Sequence, residues 1–198
     1  GIKLHLGKKV TRIDRTRRKV CTEDGIETDY DRLLLATGSN PVILPIPGKD
    51  LKGVLTYRDI GDTQRMIEAA SRYSRAVVIG GGLLGLEAAN GLKTRGMDVT
   101  VVHLMEWLME RQLDRIAGGL LRSSLEKRGL KFRLSTQTQE IIVGQPGSDA
   151  AGRVAAVRFA DGETVSADLV VMAVGIRPNT ALAEKAGLHC LRGIVVND

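Results

Sequence analysis

The sequence predicts an α/β fold with a central parallel sheet, on three observations. First, residues 74–104 give an apolar run, a glycine loop, a helical pattern and a second apolar run, which is the order of a β–α–β unit. Second, helical apolar spacing recurs over 59–73 and 112–129. Third, "DRLLLATGSNP" (31–41) and "DLVVMAVGIRP" (168–178) share one pattern, an apolar run ending in Gly and Pro that is typical of a buried strand entering a loop.

The two similar segments belong to a longer repeat. They lie 137 residues apart (168 minus 31), and so do the Asp-Gly pairs at 24–25 and 161–162. Asp-Gly between β-rich runs predicts a hairpin. Further upstream, residues 1–13 resemble 129–141, and the extra residues of the second copy fall in "GQPGSDAAG" at 144–152, which predicts an exposed loop. The repeat unit is therefore a strand, a hairpin, a buried strand, Gly and Pro.

The helix predicted over 112–129 contains two adjacent glycines, Gly118 and Gly119, and Gly129 suits its end. Each interior glycine weakens a helix by about 1 kcal/mol relative to Ala. Close packing against a neighbour would explain them. The helix over 59–73 leads directly into the strand before the glycine loop.

Only the second copy of the repeat is preceded by a glycine-rich loop, which has the pattern G-x-G-x-x-G after the β-branched run 77–79. In this pattern the first glycine permits a tight turn, the second lets the backbone approach a pyrophosphate, and the third lets the helix pack closely on the strand. The helix start adds free N–H groups and a partial positive charge. The complete β–α–β context favours a dinucleotide site over a glycine-rich turn without a ligand. The candidate residues are Gly80, Gly81, Gly82, Leu83, Leu84 and Gly85.

Composition argues against several classes of function. Aromatic residues make up 3% of the chain, too few for a stacking platform for single-stranded nucleic acid. The densest basic cluster, residues 12–19, has no nucleic-acid motif beside it, so we interpret it as a solvated hairpin and expect no nucleic-acid partner. The net charge of +6 still favours polyanionic ligands such as dinucleotides.

Cys21 and Cys190 have no metal or redox spacing and are interpreted as ordinary thiols in a reducing compartment. No apolar stretch approaches membrane-spanning length and no signal peptide is present. We therefore expect a cytoplasmic chain with no membrane partner and no metal site.

The motifs together resemble the two-dinucleotide-binding flavoprotein reductases. In that family "LLLATGSNP" resembles the segment that closes over FAD, "GGGLLGLE" resembles the NAD(P)H site, and "AVGIRPN" ends the inserted NAD(P)H domain. "YRDIGD", "GGGLLGLEAA" and "LMERQLD" look closest to the large subunits of assimilatory NAD(P)H-dependent nitrite reductases. Ferredoxin and rubredoxin reductases share similar motifs.

The resemblance implies a Rossmann-like NAD(P)H-binding domain with a parallel sheet, flanked by incomplete pieces of an FAD-binding domain. Residues 1–48 would be the back half of the FAD domain, 49–178 the NAD(P)H-binding domain and 179–198 the return segment. Thr37 and Gly38 would approach FAD, in the full-length parent only. Iron–sulfur and sirohaem groups would lie downstream of this fragment.

The implied function is that of an electron-donor module. It would pass hydride from the nicotinamide of NADH or NADPH to FAD, for nitrite reduction to ammonia in the parent, and the fragment alone is not expected to be active. Two alternatives stay open. The chain could be a fragment of a ferredoxin or rubredoxin reductase, or a non-catalytic regulatory module that binds dinucleotide.

The resemblance also assigns residues to the nicotinamide end. Glu87 would face the nicotinamide region, while the alternative is an acidic residue favoured by the dipole of the helix start. The backbone of Val174 and Gly175 would lie near the same end of the dinucleotide, while the alternative is simple turn chemistry before Pro178.

His103 ends the second strand of the β–α–β unit, where NAD-preferring folds usually place Asp or Glu to bind the adenosine ribose. A neutral His accepts one hydrogen bond there, and a protonated His would meet a 2′-phosphate. Arg111 would approach that phosphate, and Glu106 would restore the missing carboxylate. The alternative for His103 is a solvated strand-end residue. The choice between NADH and NADPH stays open at this point.

A homodimer through the FAD-domain pieces is the last expectation. An ordered remnant with the run Leu33-Leu34-Leu35 must bury that face and pair its strand edge. The alternative is a monomer whose remnants fold back on the NAD(P)H domain.

Overall fold

A computed structural model describes residues 1–197, which form two compact units. One unit contains Gly1–Asn40 and the segment that begins at Ile176, and the other contains Pro41–Gly175. In chain order the strands are β1 (Val10–Asp14), β2 (Lys19–Thr22), β3 (Glu27–Asp29), β4 (Ser39–Pro41), β5 (Val54–Thr56), β6 (Arg75–Ile79), β7 (Asp98–Val102), β8 (Lys131–Arg133), β9 (Thr138–Val143), β10 (Val154–Phe159), β11 (Thr164–Ser166), β12 (Leu169–Met172) and β13 (Ile176–Pro178). The helices are α1 (Ile60–Ala70), α2 (Leu83–Thr94), α3 (Arg115–Lys127) and α4 (Ala181–Lys185).

The predicted α/β fold is confirmed in the second unit by a five-stranded parallel sheet in the order β5-β12-β6-β7-β8. Leu169 of β12 is opposite Ala76 of β6, and Arg75 of β6 is opposite Asp98 of β7. The central strands read "RAVVI" and "LVVM" and are almost wholly buried, as expected for parallel strands covered on both faces.

Two different layers cover the two faces of this sheet. On one face, α2 packs Ala89 and Leu92 against alternate strand residues such as Val78 and Val99. On the other face, an antiparallel sheet packs Phe159 and its neighbours against the strand residues of opposite parity. The carboxyl edge of the parallel sheet, where the glycine loop lies, stays outside both layers.

The strand-and-hairpin part of the repeat is confirmed by two antiparallel sheets of the same architecture. Strands β1-β2-β3 form one in the first unit, and β9-β10-β11 form the other in the second. Gly25 and Gly162 both adopt positive φ, +85° and +86°, in their hairpin turns, which is why glycine follows aspartate there. Residues 144–152 join β9 to β10 and are largely exposed, as expected.

The first copy of the apolar run does not form the buried strand that its sequence predicts. Residues 168–178 contain the buried strand β12, whereas 31–38 contain no strand and Leu34 is 88% exposed. The physical reason is pairing. Strand β12 lies between β5 and β6, while no strand of the described residues flanks 31–38. An apolar run becomes a buried parallel strand only where neighbours satisfy its backbone and cover its side chains.

Both predicted helices are confirmed, with α1 starting in a reciprocal capping box. The Asp59 side chain accepts from the Asp62 N–H, and the buried Asp62 side chain accepts from the Asp59 N–H. Helix α3 begins after Asp114, whose side chain accepts from Ala117 N–H at 2.8 Å. The domain boundaries expected at residues 48 and 178 concern cofactor domains and stay predictions.

Asp168 ties the start of β12 to the start of β6. Its carboxylate accepts hydrogen bonds from the backbone N–H groups of Ser74 and Arg75 and, at 2.6 Å, from the Arg75 guanidinium. The side-chain hydrogen bond from Arg75 is the main cause that holds the pKa of Asp168 below its ordinary value, against the opposing effect of partial burial. Because the folded-state pKa is lowered, the carboxylate stabilises the fold above about pH 4, and this contribution is lost as the pH falls through the lowered pKa.

We expect Asp168→Asn to lower the free energy of unfolding by about 1–2 kcal/mol at pH 7, because charge-assisted hydrogen bonds are lost. The value stays small because Arg75 is half exposed. Urea unfolding at pH values from 7 to 3 measures the free energy of unfolding of the unsubstituted protein and of Asp168→Asn. The difference between these two free energies should become smaller below about pH 4. Asp98→Asn is the control, because its ion pair with Lys131 is exposed and contributes about 0.5 kcal/mol or less. A difference for Asp168→Asn that persists unchanged at pH 3 would contradict this account.

Candidate functional site: the glycine loop and its clamp

The glycine loop connects the end of β6 to the start of α2 at the carboxyl edge of the sheet. Three of its four glycines are required by packing within the protein. A Cβ on Gly80 would overlap the carbonyl oxygen of Ala173, and the φ of +121° at Gly80 also disfavours other residues. A Cβ on Gly85 would overlap the Gly80 carbonyl oxygen, and one on Gly81 would lie 2.7 Å from the ring of His103.

Gly82 differs from the other three glycines. Its φ is −83°, which any residue adopts, and a Cβ built on it would have no heavy atom within 4 Å. It is the N-cap of α2 and provides no side-chain capping bond, and the first turn contains no acidic residue. Open space thus adjoins a helix start whose first N–H groups have no intrahelical partner, and an anion at such a place is stabilised by hydrogen bonds and by the helix dipole. Folding alone does not require glycine at this position.

His103 lies beneath the glycine loop. It is 8% exposed, its Nδ1 accepts a hydrogen bond from Gly81 N–H at 3.0 Å, and its Nε2 lies 3.0 Å from Glu110 Oε2. Because Nδ1 is the acceptor, the hydrogen-bond network assigns the ring proton to Nε2, which donates it to Glu110. The alternative that His103 is a solvated strand-end residue is wrong, because both ring nitrogens are bonded within the protein. Its role toward a dinucleotide stays a prediction.

Residues 104–113, which we call the clamp loop, hold the glycine loop from the other side. The backbone N–H of Met109 donates to the Gly81 carbonyl at 3.0 Å. The buried Leu108 side chain lies 2.8 Å from where a Gly81 Cβ would be. Trp107 Nε1 donates to the Leu113 carbonyl at 3.0 Å, which closes the clamp loop on itself. The backbone of the glycine loop is thus fixed by contacts from the clamp loop and from His103.

Gly118 explains how α3 reaches the clamp loop. A Cβ on Gly118 would lie 2.7 Å from Trp107 Cδ1 and 2.9 Å from the Leu108 carbonyl oxygen. The close packing expected for this helix is therefore present at Gly118. Gly119 has open space at its Cβ position, and nothing in the structure explains that glycine.

The structure brings the predicted nicotinamide-end residues to the edge where the glycine loop lies. Val174 and Gly175 follow β12, whose end pairs with the end of β6. Gly175 has φ +126°, and its carbonyl accepts from Val42 N–H at 2.9 Å. Glu87 lies exposed on the second turn of α2, after the exposed Leu83 and Leu84.

The two adenosine-end candidates on the clamp loop are both solvent-exposed. Arg111 has an 86% exposed side chain, with its Nε 3.9 Å from Glu110 Oε1. Glu106 is 61% exposed and lies 3.6 Å from Arg115 Nη2. Sequence reasoning missed Glu110, the carboxylate that is bonded to His103. The only available signal was its place in "LMERQLD", a stretch noticed for its resemblance and not for its chemistry.

Thr37 and Gly38 lie in the first unit, where they join the two chain segments of that unit. Thr37 Oγ1 donates to the Asn179 carbonyl at 2.7 Å, and Asn179 Nδ2 donates to the Thr37 carbonyl at 2.9 Å. Gly38 has φ +65° and open space at its Cβ position, so a ligand can approach its backbone closely. Within residues 1–197 no cluster of His, Cys, Asp and Glu side chains suits a metal ion, and no helix has the length and apolar character needed to cross a membrane.

The fold and the glycine loop define the class of Rossmann-like, dinucleotide-binding proteins. The chain belongs to the pyridine nucleotide-disulphide oxidoreductase family, whose model matches residues 1–198. It is 54% identical over 198 residues to nitrite reductase (NAD(P)H) of Bacillus subtilis (strain 168), an alignment that covers 100% of this chain and 24% of that protein. The chain is therefore homologous to NAD(P)H-dependent oxidoreductases.

Solved structures agree with this family and fold. A ferredoxin reductase from Rhodopseudomonas palustris superposes with a TM-score of 0.88 at 30% identity, over 96% of this chain and 46% of that one. An engineered water-forming NADPH oxidase bound to NADPH, made from the Lactobacillus brevis NADH oxidase, superposes with a TM-score of 0.73 at 26% identity, over 88% of this chain and 38% of that one. The chain thus spans about a quarter of the curated relative and less than half of each solved structure.

We expect Gly118→Ala and Gly119→Ala to change stability in opposite directions. The new methyl group at residue 118 collides with Trp107 and should cost about 1–3 kcal/mol. The methyl group at residue 119 meets open space and should stabilise α3 by up to about 1 kcal/mol. Thermal and urea unfolding of the two variants measure this difference. Equal effects of the two substitutions would show that α3 does not pack on the clamp loop as described.

Proposed function

We propose that the chain binds a nicotinamide dinucleotide across the glycine loop and acts as the electron-donor module of a flavoprotein reductase. The observation that carries the proposal is Gly82, the one glycine of the loop whose missing side chain is not explained by packing. A pyrophosphate explains it, because only a bare backbone lets phosphate oxygens reach the N–H groups of a helix start. The proposed phosphate site is the loop 80–85.

The order of the strands gives the proposed direction of the dinucleotide. Strand β6 lies between β7 and β12, and in open α/β sheets ligands bind in the crevice at such a point. The adenosine half would extend over β7 toward His103 and the clamp loop. The nicotinamide half would extend over β12 toward Val174 and Gly175, with Glu87 on the adjoining turn of α2.

A second observation supports this direction at the adenosine end. The engineered NADPH oxidase differs from its parent by five substitutions, one at a glycine and the others 18, 19, 20 and 25 residues further along. Ala occurs in place of glycine at the third glycine of the G-x-G-x-x-G pattern, so we set that glycine on Gly85. Without gaps, the other four substitutions then fall on His103, Leu104, Met105 and Glu110. Two of the four introduce arginine, and one of these falls on Glu110. The spacing supports a contact between the clamp loop and the adenosine end of the dinucleotide.

Hydride transfer itself belongs to the nicotinamide and to FAD, which supplies the electron-accepting ring when it is bound. This chain would supply orientation. Gly38, with its positive φ and open Cβ side, fits close approach of the backbone to a flavin, and Thr37 would position that segment through Asn179. The G-x-G-x-x-G pattern at residues 80–85 is the one assigned to the nicotinamide dinucleotide, so the chain would hold FAD only together with the rest of the parent.

The terminal acceptor is proposed to be nitrite, reduced to ammonia in the parent with iron–sulfur and sirohaem groups outside this chain. The support is the 54% identity to a nitrite reductase, against 38% to a rhodocoxin reductase and 34% to a ferredoxin–NAD(+) reductase component. A ferredoxin reductase module is the second candidate. A homodimer through the first unit is also proposed, supported by apolar side chains that are exposed there, among them Ile2, Leu4 and Leu34.

Gly82→Val tests the phosphate site. The substitution should abolish NADH and NADPH binding measured by calorimetry, because the new side chain would stand between backbone and pyrophosphate. It should leave the protein folded, because the backbone there suits valine and the Cβ side is open. The free energy of unfolding should fall by about 1 kcal/mol or less, because valine is a poorer N-cap than glycine. Gly91→Val on the exposed side of α2 is the control and should retain binding. Unchanged affinity in a folded Gly82→Val protein would remove the pyrophosphate assignment.

A second test concerns the flavin. The purified chain should be colourless and still bind a nicotinamide dinucleotide, since its G-x-G-x-x-G pattern is assigned to the latter. The visible absorption spectrum after incubation with FAD and gel filtration measures this, with NADH binding by calorimetry on the same sample as the control. A stoichiometric yellow flavin in the eluted protein would contradict the expectation.

A further inference from the structure

We propose that Glu110, held in place by His103, is the carboxylate that binds the adenosine ribose and selects NADH over NADPH. The inference rests on the proposed function, because it presumes that a dinucleotide lies on the glycine loop. It concerns which side chain contacts the 2′ position of the adenosine ribose, since the usual acidic residue at the end of β7 is replaced by His103.

His103 itself is not free to bind a ribose hydroxyl. Its one acceptor, Nδ1, is used by Gly81 N–H, and its one donor, Nε2–H, is used by Glu110. A neutral imidazole has no further hydrogen-bonding atom. The ring is also almost fully buried. His103 therefore acts on a ligand only through the groups that it holds.

The clamp loop and its end contain three carboxylates, of which one is used as a helix cap and one is held by no hydrogen bond among the described residues. Asp114 caps α3 by accepting from Ala117 N–H. Glu106 is mostly exposed and lies beside Arg115. Glu110 is the remaining one, with a side chain that is only 22% exposed.

The Glu110 carboxylate is oriented by a hydrogen bond to one of its two oxygens. Its Oε2 accepts from His103 Nε2–H at 3.0 Å. Among the described residues, the nearest cation to its Oε1 is Arg111 Nε at 3.9 Å, which is beyond hydrogen-bond distance. One carboxylate oxygen is thus left to accept from a ligand. The bonded oxygen keeps the group from turning away.

The placement of Glu110 matches the place of the adenosine ribose. A continuous path of two 3.0 Å hydrogen bonds and one imidazole ring joins Gly81 of the phosphate loop to Glu110. In a dinucleotide the ribose is joined to the pyrophosphate by a single methylene group. A carboxylate one ring away from the phosphate loop, beside the end of β7, is therefore within reach of the ribose hydroxyls.

The chemistry of the group decides the preference. A carboxylate oxygen accepts hydrogen bonds from the 2′- and 3′-hydroxyls of NADH. The same oxygen repels the 2′-phosphate of NADPH, and a like-charge contact is a strong means of rejecting one of two similar ligands. Arg111 opposes this only weakly, because its side chain is 86% exposed and its charge is screened by solvent. We expect a preference for NADH of about tenfold or more.

The experiment measures dissociation constants of NADH and NADPH by calorimetry on the 198-residue chain, and of 5′-AMP and 2′,5′-ADP as probes of the adenosine half alone. Glu110→Gln retains an acceptor for His103 and removes the charge. It should lower the NADPH-to-NADH ratio of dissociation constants about tenfold. Glu126→Gln on α3, whose carboxylate pairs with Arg122, is the matched control and should leave the ratio unchanged. The ratio of the unsubstituted protein should also shrink as salt is raised.

Two variants of His103 test its positioning role. His103→Asn keeps an acceptor near Gly81 N–H but removes the donor to Glu110, and it should lower the ratio. His103→Gln keeps a donor that reaches Glu110 and should retain most of the ratio. A purely structural role of His103 would weaken both dinucleotides equally and leave the ratio unchanged.

The outcomes separate the two proposals. If the unsubstituted protein binds neither dinucleotide, the proposed function and this inference both fail. If it binds NADH but shows no preference, a preference independent of salt, or an unchanged ratio in Glu110→Gln, the inference alone is overturned. The two His103 variants act on Glu110 through its hydrogen bond with Nε2, so they test the assignment even if Glu110→Gln fails to fold.

Discussion

The hydrogen bond from Gly81 N–H to His103 Nδ1 is the contact on which the candidate site depends. It fixes the backbone of the glycine loop against the end of β7, and it can form only because Gly81 has no side chain to collide with the imidazole. The same bond sets the tautomer of His103 and so determines that Nε2 donates to Glu110. One backbone N–H therefore controls the shape of the loop and the orientation of the nearest carboxylate.

Packing in the rest of the second unit keeps the hydrogen bond between Gly81 and His103 in place. The central strands β6 and β12 are covered by α2 on one face and by the antiparallel sheet β9–β11 on the other. Because both faces of the parallel sheet are covered, the loops of the candidate site lie at its carboxyl edge. Packing of Gly118 against Trp107 brings α3 onto the clamp loop, and the clamp loop in turn holds Gly81 through Met109. Residues far apart in sequence thus restrain one tight turn, as expected of a preorganised binding site.

Much of this architecture could be predicted from the sequence because its signals are local. The β–α–β unit, the helices α1 and α3 and both hairpins depend on periodicity, capping and Asp-Gly turns. The prediction of a buried strand over 31–38 was wrong because a parallel strand depends on neighbouring strands. The similar apolar run in β12 has two such neighbours, β5 and β6. Glu110 was missed because no periodic pattern or motif chemistry marks a loop residue, and its partner His103 lies seven positions upstream (110 minus 103). Close packing would explain the glycine pair in α3, but only the structure shows that it holds at Gly118 and that Trp107 is the neighbour.

Backbone amide NMR spectra recorded during titration with NADH show directly whether a nicotinamide dinucleotide lies on the glycine loop. We expect the largest shifts at the N–H groups of Gly82, Leu83 and Leu84, with smaller shifts along the clamp loop and at Val174 and Gly175. We also expect that the Gly81 N–H stays bonded to His103 and shifts less than that of Gly82. Saturating NADH that leaves residues 80–85 unshifted, or that shifts only residues of the first unit, would contradict the account.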